Sequence, residues 1–237
     1  MFKEFEHNQE GFDFHIFRQA VFFSLTSTFF MWFIKLLEWS SNMDFGPYGI
    51  YPRTLTGSVG IIVSPFIHAD FIHLLSNTLP YISFTLLLFY FYKNVAWEVF
   101  IWIYLTTGIW VWAFAREAYH IGASGVIYGL ASFLLLSGLL SKNIQLIAIS
   151  LIVLFLYGGM FYGISPEFVA QNVSWESHLL GAVSGVLIAL FFRNRLKAQT
   201  SPEIENVEDA SLSSTSAEKM TFIYHYKESK KAENKNN

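Results

Sequence analysis

Six long apolar stretches dominate the sequence, and each is close to the length that crosses a lipid bilayer. They lie at 17–37, 72–92, 96–115, 123–140, 144–163 and 175–192. The hydrocarbon core of a bilayer is about 30 Å thick and needs about 20 helical residues to cross it. Because backbone N–H and C=O groups find no water in lipid, such segments must be helices. The sequence therefore predicts an all-α membrane protein, a bundle of six transmembrane helices.

The composition agrees with this class and excludes several others. Hydrophobic residues make up 53% of the 237 residues and charged residues 14%, which is too apolar for a soluble domain. The lipid bilayer is thus the expected surrounding, and no basic stripe indicates a nucleic-acid partner. The chain has no cysteine, which excludes disulfides, thiolate zinc sites and a cysteine nucleophile. Neither a metal nor a cofactor is expected.

Lysine and arginine residues indicate the orientation. Most of those near the apolar stretches fall on one side, namely Lys3, Arg18, Lys93, Lys142, Arg193, Arg195 and Lys197. Because loops rich in lysine and arginine stay in the cytoplasm, both termini are expected there. We expect an N-terminal cytoplasmic segment at 1–16, a membrane domain at 17–195 and a disordered cytoplasmic tail at 196–237. A long outer loop at 38–71 joins the first two helices.

Four polar residues lie at the beginning of three of the apolar stretches. His73 and Asn77 open the second stretch, Ser124 opens the fourth and His178 opens the sixth. With both termini on one side, the even-numbered helices all begin at the outer face, so these side chains share one depth. Polar residues inside a membrane are costly and tend to be functional. We interpret the four residues as a single site below the membrane surface.

The residue types are those of a serine hydrolase. A serine hydroxyl is a weak nucleophile until a base removes its proton, and His178 is the candidate base for Ser124. His73 and Asn77 are four residues apart and share one helix face. Together with the Ser124 backbone N–H, they would donate hydrogen bonds to the oxyanion of a tetrahedral intermediate. His68 is rotated away from that face and is expected to brace the loop.

Small residues predict a close approach of the fourth and sixth helices. Gly125 and Gly129 recur at a spacing of four on the fourth helix, as do Gly181 and Gly185 on the sixth. Two such small-residue faces let helix backbones come together in a membrane. Each face lies within two turns of its candidate catalytic residue, so the contact would bring the serine to the histidine.

Three further residues flank the serine and the histidine. Gly122 permits an unusual backbone path just before Ser124. Tyr128 lies one turn beyond Ser124 on the same face, where we expect it to stack on His178. Glu176 lies near the outer boundary and is expected to face water.

Taken together, these motifs resemble those of the rhomboid family of intramembrane serine proteases, in its six-helix bacterial form. The resemblance covers roughly residues 15–195. Its motifs in this chain are HxxxxHxxxN at 68–77, GxSG at 122–125 and HxxGxxxG at 178–185. Their order and their positions on the helices match the family, which makes the resemblance specific.

The resemblance implies a Ser124–His178 dyad without an aspartate, and an oxyanion hole formed by His73, Asn77 and the Ser124 amide. It also implies a water-filled cavity open to the outside of a bacterial inner membrane, and transmembrane proteins as substrates. Two features depart from the family pattern. The first outer loop has no adjacent Trp–Arg pair, although Arg53 lies in that loop, and the glutamate often found late in the second helix is absent.

Two other functions stay open at this stage. A protein with the same fold could bind transmembrane segments without cleaving them, and a missing dyad member would favour that function. A small transporter or channel would use the histidines to relay protons. Charged residues near the bilayer centre of several helices, or internal repeats, would favour a transporter, and the sequence has neither.

Overall fold

The computed structural model describes residues 13–141, 143–170 and 173–200. Seven α-helices follow one another in this part of the chain: α1 Phe14–Ser41, α2 Gly60–Val63, α3 Phe71–Phe91, α4 Ala96–Phe114, α5 Ser124–Leu139, α6 Ile144–Tyr157 and α7 Trp175–Thr200. Short 3-10 helices lie at Gly46–Tyr48, Thr56–Val59, Ser64–Phe66 and Gly158–Ile164. Most of the expected N-terminal segment and nearly all of the expected tail lie outside the described residues.

Five of these segments are long and apolar enough to cross a membrane: α1, α3, α4, α6 with the 3-10 helix after it, and α7. The prediction of an all-α, multi-pass integral membrane protein is confirmed. The fourth predicted stretch differs from the others, because α5 has only 16 residues and falls below spanning length.

The short helix α5 lies at the centre of the bundle. Twelve of its residues are buried, among them Ile127, Leu130 and Phe133. A helix that is apolar all round belongs in the interior of a bundle. Because protein rather than lipid surrounds most of α5, the helix need not match the thickness of the bilayer.

Four glycines bring α5 and α7 into backbone contact. A Cβ atom built on Gly181 would lie 2.0 Å from the carbonyl oxygen of Gly125, and one built on Gly185 would lie 2.0 Å from that of Gly129. No side chain fits at such distances, so only glycine permits this approach. The predicted small-residue contact between the two helices is therefore present.

The segment between α1 and α3 is held at its base by a buried ion pair. Lys35 Nζ donates to Glu38 Oε2 at 2.7 Å, and also to the carbonyl oxygens of His68 at 3.0 Å and Ala69 at 2.9 Å. Glu38 Oε1 accepts from the Phe45 backbone N–H at 2.9 Å. The ammonium group thus has three acceptors, which offset the cost of burying its charge.

The middle of the same segment is attached to α4 through Arg53. The Arg53 backbone N–H donates to the carbonyl oxygen of Trp112 at 2.9 Å, and its guanidinium donates to that of Ala115 at 2.8 Å. Trp112 Nε1 donates in return to the carbonyl oxygen of Thr54 at 2.8 Å. An arginine and a tryptophan therefore anchor this loop, although they are not adjacent in the sequence.

Candidate active site

Ser124 and His178 meet where α5 and α7 begin. The distance from His178 Nε2 to Ser124 Oγ is 2.9 Å, and His178 Nδ1 lies 2.8 Å from the carbonyl oxygen of Gly163. Because a carbonyl can only accept, Nδ1 carries the ring proton and donates it to Gly163. This tautomer leaves the lone pair of Nε2 free to accept the serine hydroxyl proton.

Tyr128 covers one face of the histidine ring. The two ring centres are 4.3 Å apart and the ring planes are inclined by 8°. The Tyr128 hydroxyl donates to the carbonyl oxygen of Met160 at 2.5 Å. The 3-10 helix Gly158–Ile164 thus supplies an acceptor both for the tyrosine and for the histidine.

Gly163 was not predicted from the sequence as a site residue. A Cβ atom at this position would lie 2.1 Å from the Tyr128 hydroxyl and 3.2 Å from His178 Nδ1, so a glycine is required for its carbonyl to reach the histidine. The run of glycines at 158, 159 and 163, which ends an apolar stretch, is the signal that could have drawn attention to this segment.

His73 and Asn77 converge on the backbone just before Ser124. Gly122 has a φ of +103°, and a Cβ atom there would lie 2.8 Å from His73 Nε2 and 3.7 Å from Asn77 Nδ2. The Asn77 amide nitrogen is buried and has no hydrogen-bond partner among the described residues. A buried donor without a partner is costly, and here it lies beside the serine.

His68 lies against His73 rather than away from it. The two rings meet edge to face with centres 5.1 Å apart. His68 Nε2 accepts from the Ala123 backbone N–H at 3.5 Å, so the ring supports the turn that carries Ser124. Burial, together with the nearby His73, lowers the pKa of His68 to about 3.

This low pKa predicts that the protein loses stability in acid. Below pH 6.5, the ordinary pKa of histidine, His68 becomes protonated in the unfolded chain. In the folded chain it stays neutral until the pH falls to about 3. The free energy of unfolding should therefore fall by about 1.4 kcal/mol per pH unit in that window through this residue. Unfolding curves between pH 7 and pH 4 measure this slope. It should become shallower in His68→Gln, and an unchanged slope would contradict the assignment.

A second polar cluster joins the approach to α5 with the start of α7. His120 Nε2 donates to the carbonyl oxygen of Arg116 at 2.9 Å, so His120 Nδ1 accepts from the Ser174 hydroxyl at 2.5 Å. Ser174 Oγ also accepts from the Ser177 backbone N–H at 3.4 Å, as a helix N-cap does. The sequence analysis missed this cluster, although His120 lies only four residues before Ser124.

The structure corrects the expectation for Glu176. This carboxylate does not face water: it is buried and accepts two hydrogen bonds of 2.9 Å from the Arg116 guanidinium. Arg116 also donates to the carbonyl oxygen of Val173 at 3.0 Å. A single guanidinium nitrogen, Nη1, donates to both carboxylate oxygens, and this charge-assisted pair ties the loop before α5 to the first turn of α7.

The chemistry available at the site is that of an activated alcohol. Ser124 and His73 are partly exposed, whereas Asn77 and His178 are buried. No group of three or more metal-ligating side chains occurs among the residues that the structure describes. The arrangement contains an alcohol hydrogen-bonded to an imidazole of defined tautomer, with an imidazole and an amide side chain beside them.

Comparison with known proteins gives the same family as the motifs. The family model described as the Rhomboid domain matches residues 56–195. An uncharacterized protein of Mycobacterium tuberculosis is 36% identical over 172 residues, which cover 70% of this chain and 72% of the relative. A Mycobacterium leprae protein is 32% identical over 174 residues, which cover 70% and 68%.

A more distant relative comes from Acanthamoeba polyphaga mimivirus, and its name places it among the rhomboids. It is 28% identical over 158 residues, which cover 62% of this chain and 82% of the viral protein. No solved structure matches the chain. Because the family model covers more than half of the sequence, the protein belongs to the rhomboid family.

Proposed function

We propose that this protein is an intramembrane serine endopeptidase that cleaves the transmembrane segments of other membrane proteins. The observation that carries the proposal is the contact of 2.9 Å between Ser124 Oγ and His178 Nε2, with the ring proton on Nδ1 donated to Gly163. Membership of the rhomboid family supports the same reaction. The lipid bilayer and single-pass membrane proteins are the partners that this function requires.

In the proposed reaction, Ser124 Oγ attacks the carbonyl carbon of the scissile peptide bond while His178 Nε2 takes the hydroxyl proton. The tetrahedral intermediate collapses as His178 gives that proton to the leaving amine. The resulting acyl-enzyme is then hydrolysed by a water molecule, which His178 deprotonates in turn. The Gly163 carbonyl accepts the Nδ1–H of the charged imidazolium. It thereby takes the place that an aspartate has in serine triads.

The oxyanion is proposed to form beside Gly122, where three donors are available. These are the Ser124 backbone N–H, His73 Nε2–H and Asn77 Nδ2–H. The Ser124 N–H belongs to the first turn of α5 and has no partner within the helix. The buried Asn77 amide, which has no partner among the described residues, gains an acceptor when the substrate carbonyl oxygen becomes negative. This donor therefore acts mainly in the transition state.

The orientation is part of the proposal. We propose that both termini face the cytoplasm of a bacterial cell and that the protein lies in the inner membrane. Both segments that flank the membrane domain at 17–195 in the sequence would then be cytoplasmic, namely 1–16 before it and the tail 196–237 after it. The site would open toward the outer face, where α3, α5 and α7 begin.

The function is tested directly with purified protein in detergent. A fluorophosphonate probe should label Ser124, and a single-pass substrate should be cut within its transmembrane segment, as mass spectrometry of the products would show. Labelling without cleavage of any transmembrane substrate would indicate a reactive serine whose substrate is of another class, whereas binding of a transmembrane segment without labelling would indicate a non-catalytic binder. Absence of both labelling and cleavage would overturn the proposal.

Asn77→Ala should slow cleavage by about 10²–10³-fold, because one oxyanion donor is lost. The fluorophosphonate probe should still label Ser124, because the dyad is intact. The measurement is the cleavage rate at saturating substrate together with the extent of labelling. Ser76→Ala is the matched control, since the exposed Ser76 Oγ donates to the carbonyl oxygen of His73 in its own helix. Full activity in Asn77→Ala would remove this residue from the site.

A further inference from the structure

A large apolar cavity opens between α1 and the helices α3 and α4. Its volume is about 730 Å³, within the range of about 300–1,000 Å³ that small-molecule sites occupy. Six of its thirteen lining residues are aromatic, including Phe22, Phe23, Phe30 and Phe89. A second cavity of about 290 Å³ shares Phe23 with the first. The two cavities are therefore adjacent, and together they are called the fissure; Ser124 and His178 line neither of them.

The fissure has the length of a lipid chain. Its wall on α1 runs from Ile16 to Met31, which is about 22 Å at about 1.5 Å per residue. One leaflet of the hydrocarbon core is about half of its 30 Å thickness. Ser27 lies in this wall, but its hydroxyl donates to the carbonyl oxygen of Phe23 at 2.7 Å. Ser27 therefore presents no hydroxyl in need of a partner to the fissure.

Two exposed cations line the fissure at the end that lies opposite Ser124. Arg18 is in the second turn of α1, and Lys93 follows the end of α3. Among the described residues, neither forms an ion pair with a carboxylate. The nearby Glu98 accepts from Arg195 with both oxygens, at 2.7 and 2.9 Å, so its charge is already matched. The cations remain available to an anion.

We propose that the fissure binds an anionic phospholipid, with the phosphate between Arg18 and Lys93 and one acyl chain along the phenylalanines. Each part of the site matches one part of such a molecule. The aromatic walls favour a hydrocarbon chain because they offer it no hydrogen bond. The guanidinium and the ammonium favour a phosphate, and basic residues at a membrane surface attract anionic lipids.

The test measures lipid binding by the full-length protein in nonionic detergent. The probes are phosphatidylglycerol and phosphatidylcholine with the same acyl chains, and native mass spectrometry gives the bound fraction of each. The parent should bind phosphatidylglycerol on the order of tenfold more tightly than phosphatidylcholine. The double variant Arg18→Gln, Lys93→Gln should lose this preference and bind both lipids alike.

Two further variants separate this site from general attraction to the protein surface. Arg193→Gln changes the charge at the end of α7, outside the fissure, and should leave the preference unchanged. Ser27→Trp fills the fissure without a change of charge and should weaken the binding of both lipids. Equal binding of the two lipids by the parent would overturn the proposal. So would an Arg193→Gln variant that loses as much preference as the double variant.

Discussion

Ser124→Ala should reduce the cleavage of a transmembrane substrate by at least about 10⁴-fold, because the nucleophile is gone and the other groups retain little catalysis without it. The fold should persist, because within the described part of the chain the Ser124 side chain forms a hydrogen bond to His178 alone. Cleavage rates in detergent and in reconstituted vesicles measure the loss, and fluorophosphonate labelling should vanish with it.

His178→Ala should cost about as much, since residues that act as a unit are not additive. The double variant Ser124→Ala, His178→Ala should therefore be no slower than either single variant. His15→Ala is the matched control: this histidine lies exposed in the first turn of α1, and its loss should leave the rate unchanged. A His178→Ala variant that cleaves as fast as the parent would show that another group is the base.

Gly181→Ala is the second change with a large expected effect, and it acts on the fold. The added Cβ would lie 2.0 Å from the carbonyl oxygen of Gly125 and 2.8 Å from its carbonyl carbon. Both are backbone atoms and cannot rotate away, so α5 and α7 must separate. We expect the free energy of unfolding to fall by about 3 kcal/mol or more, together with loss of activity as Ser124 and His178 move apart.

Gly159→Ala is the control for this prediction. Nothing lies within 4 Å of a Cβ atom built at that position, so the same change of residue should leave stability within about 0.5 kcal/mol of the parent. The fraction unfolded by a denaturing detergent compares the two variants. Equal stability of Gly181→Ala and Gly159→Ala would show that the backbone contact between the two helices does not hold the bundle together.

The helices themselves could be predicted from the sequence, because hydropathy over some 20 residues is a local property. α1 begins at Phe14 rather than at 17 since Asp13 caps it: its carboxylate accepts from the backbone N–H groups of His15 and Ile16. The fourth stretch, predicted at 123–140, was already among the shortest with about 18 residues, and α5 is shorter still with 16. So short a helix is possible because neighbouring helices rather than lipid surround α5. Hydropathy does not report which helices are neighbours.

Part of the candidate site could also be predicted from the sequence. Four of its residues were predicted because they lie at the starts of helices that begin on the same side of the membrane, which places them at one depth. These are Ser124, His178, His73 and Asn77. The position of His68 was not found, since the rotation of a residue before a helix begins does not follow helical spacing. Glu176 was assigned to water because a charge near a boundary is usually solvated, and only its distant partner Arg116 explains its burial.

The sequence by itself determined that the chain crosses a bilayer several times, and which residues could do chemistry there. Both follow from local properties, namely the length of the apolar stretches and the residue types within them. Only the tertiary structure decided which groups meet. The Gly163 carbonyl that sets the tautomer of His178, the link from His120 to Ser174, and the fissure beside α1 all depend on segments far apart in the chain. Hydrogen bonds and cavities form between surfaces, and no single segment specifies its partner.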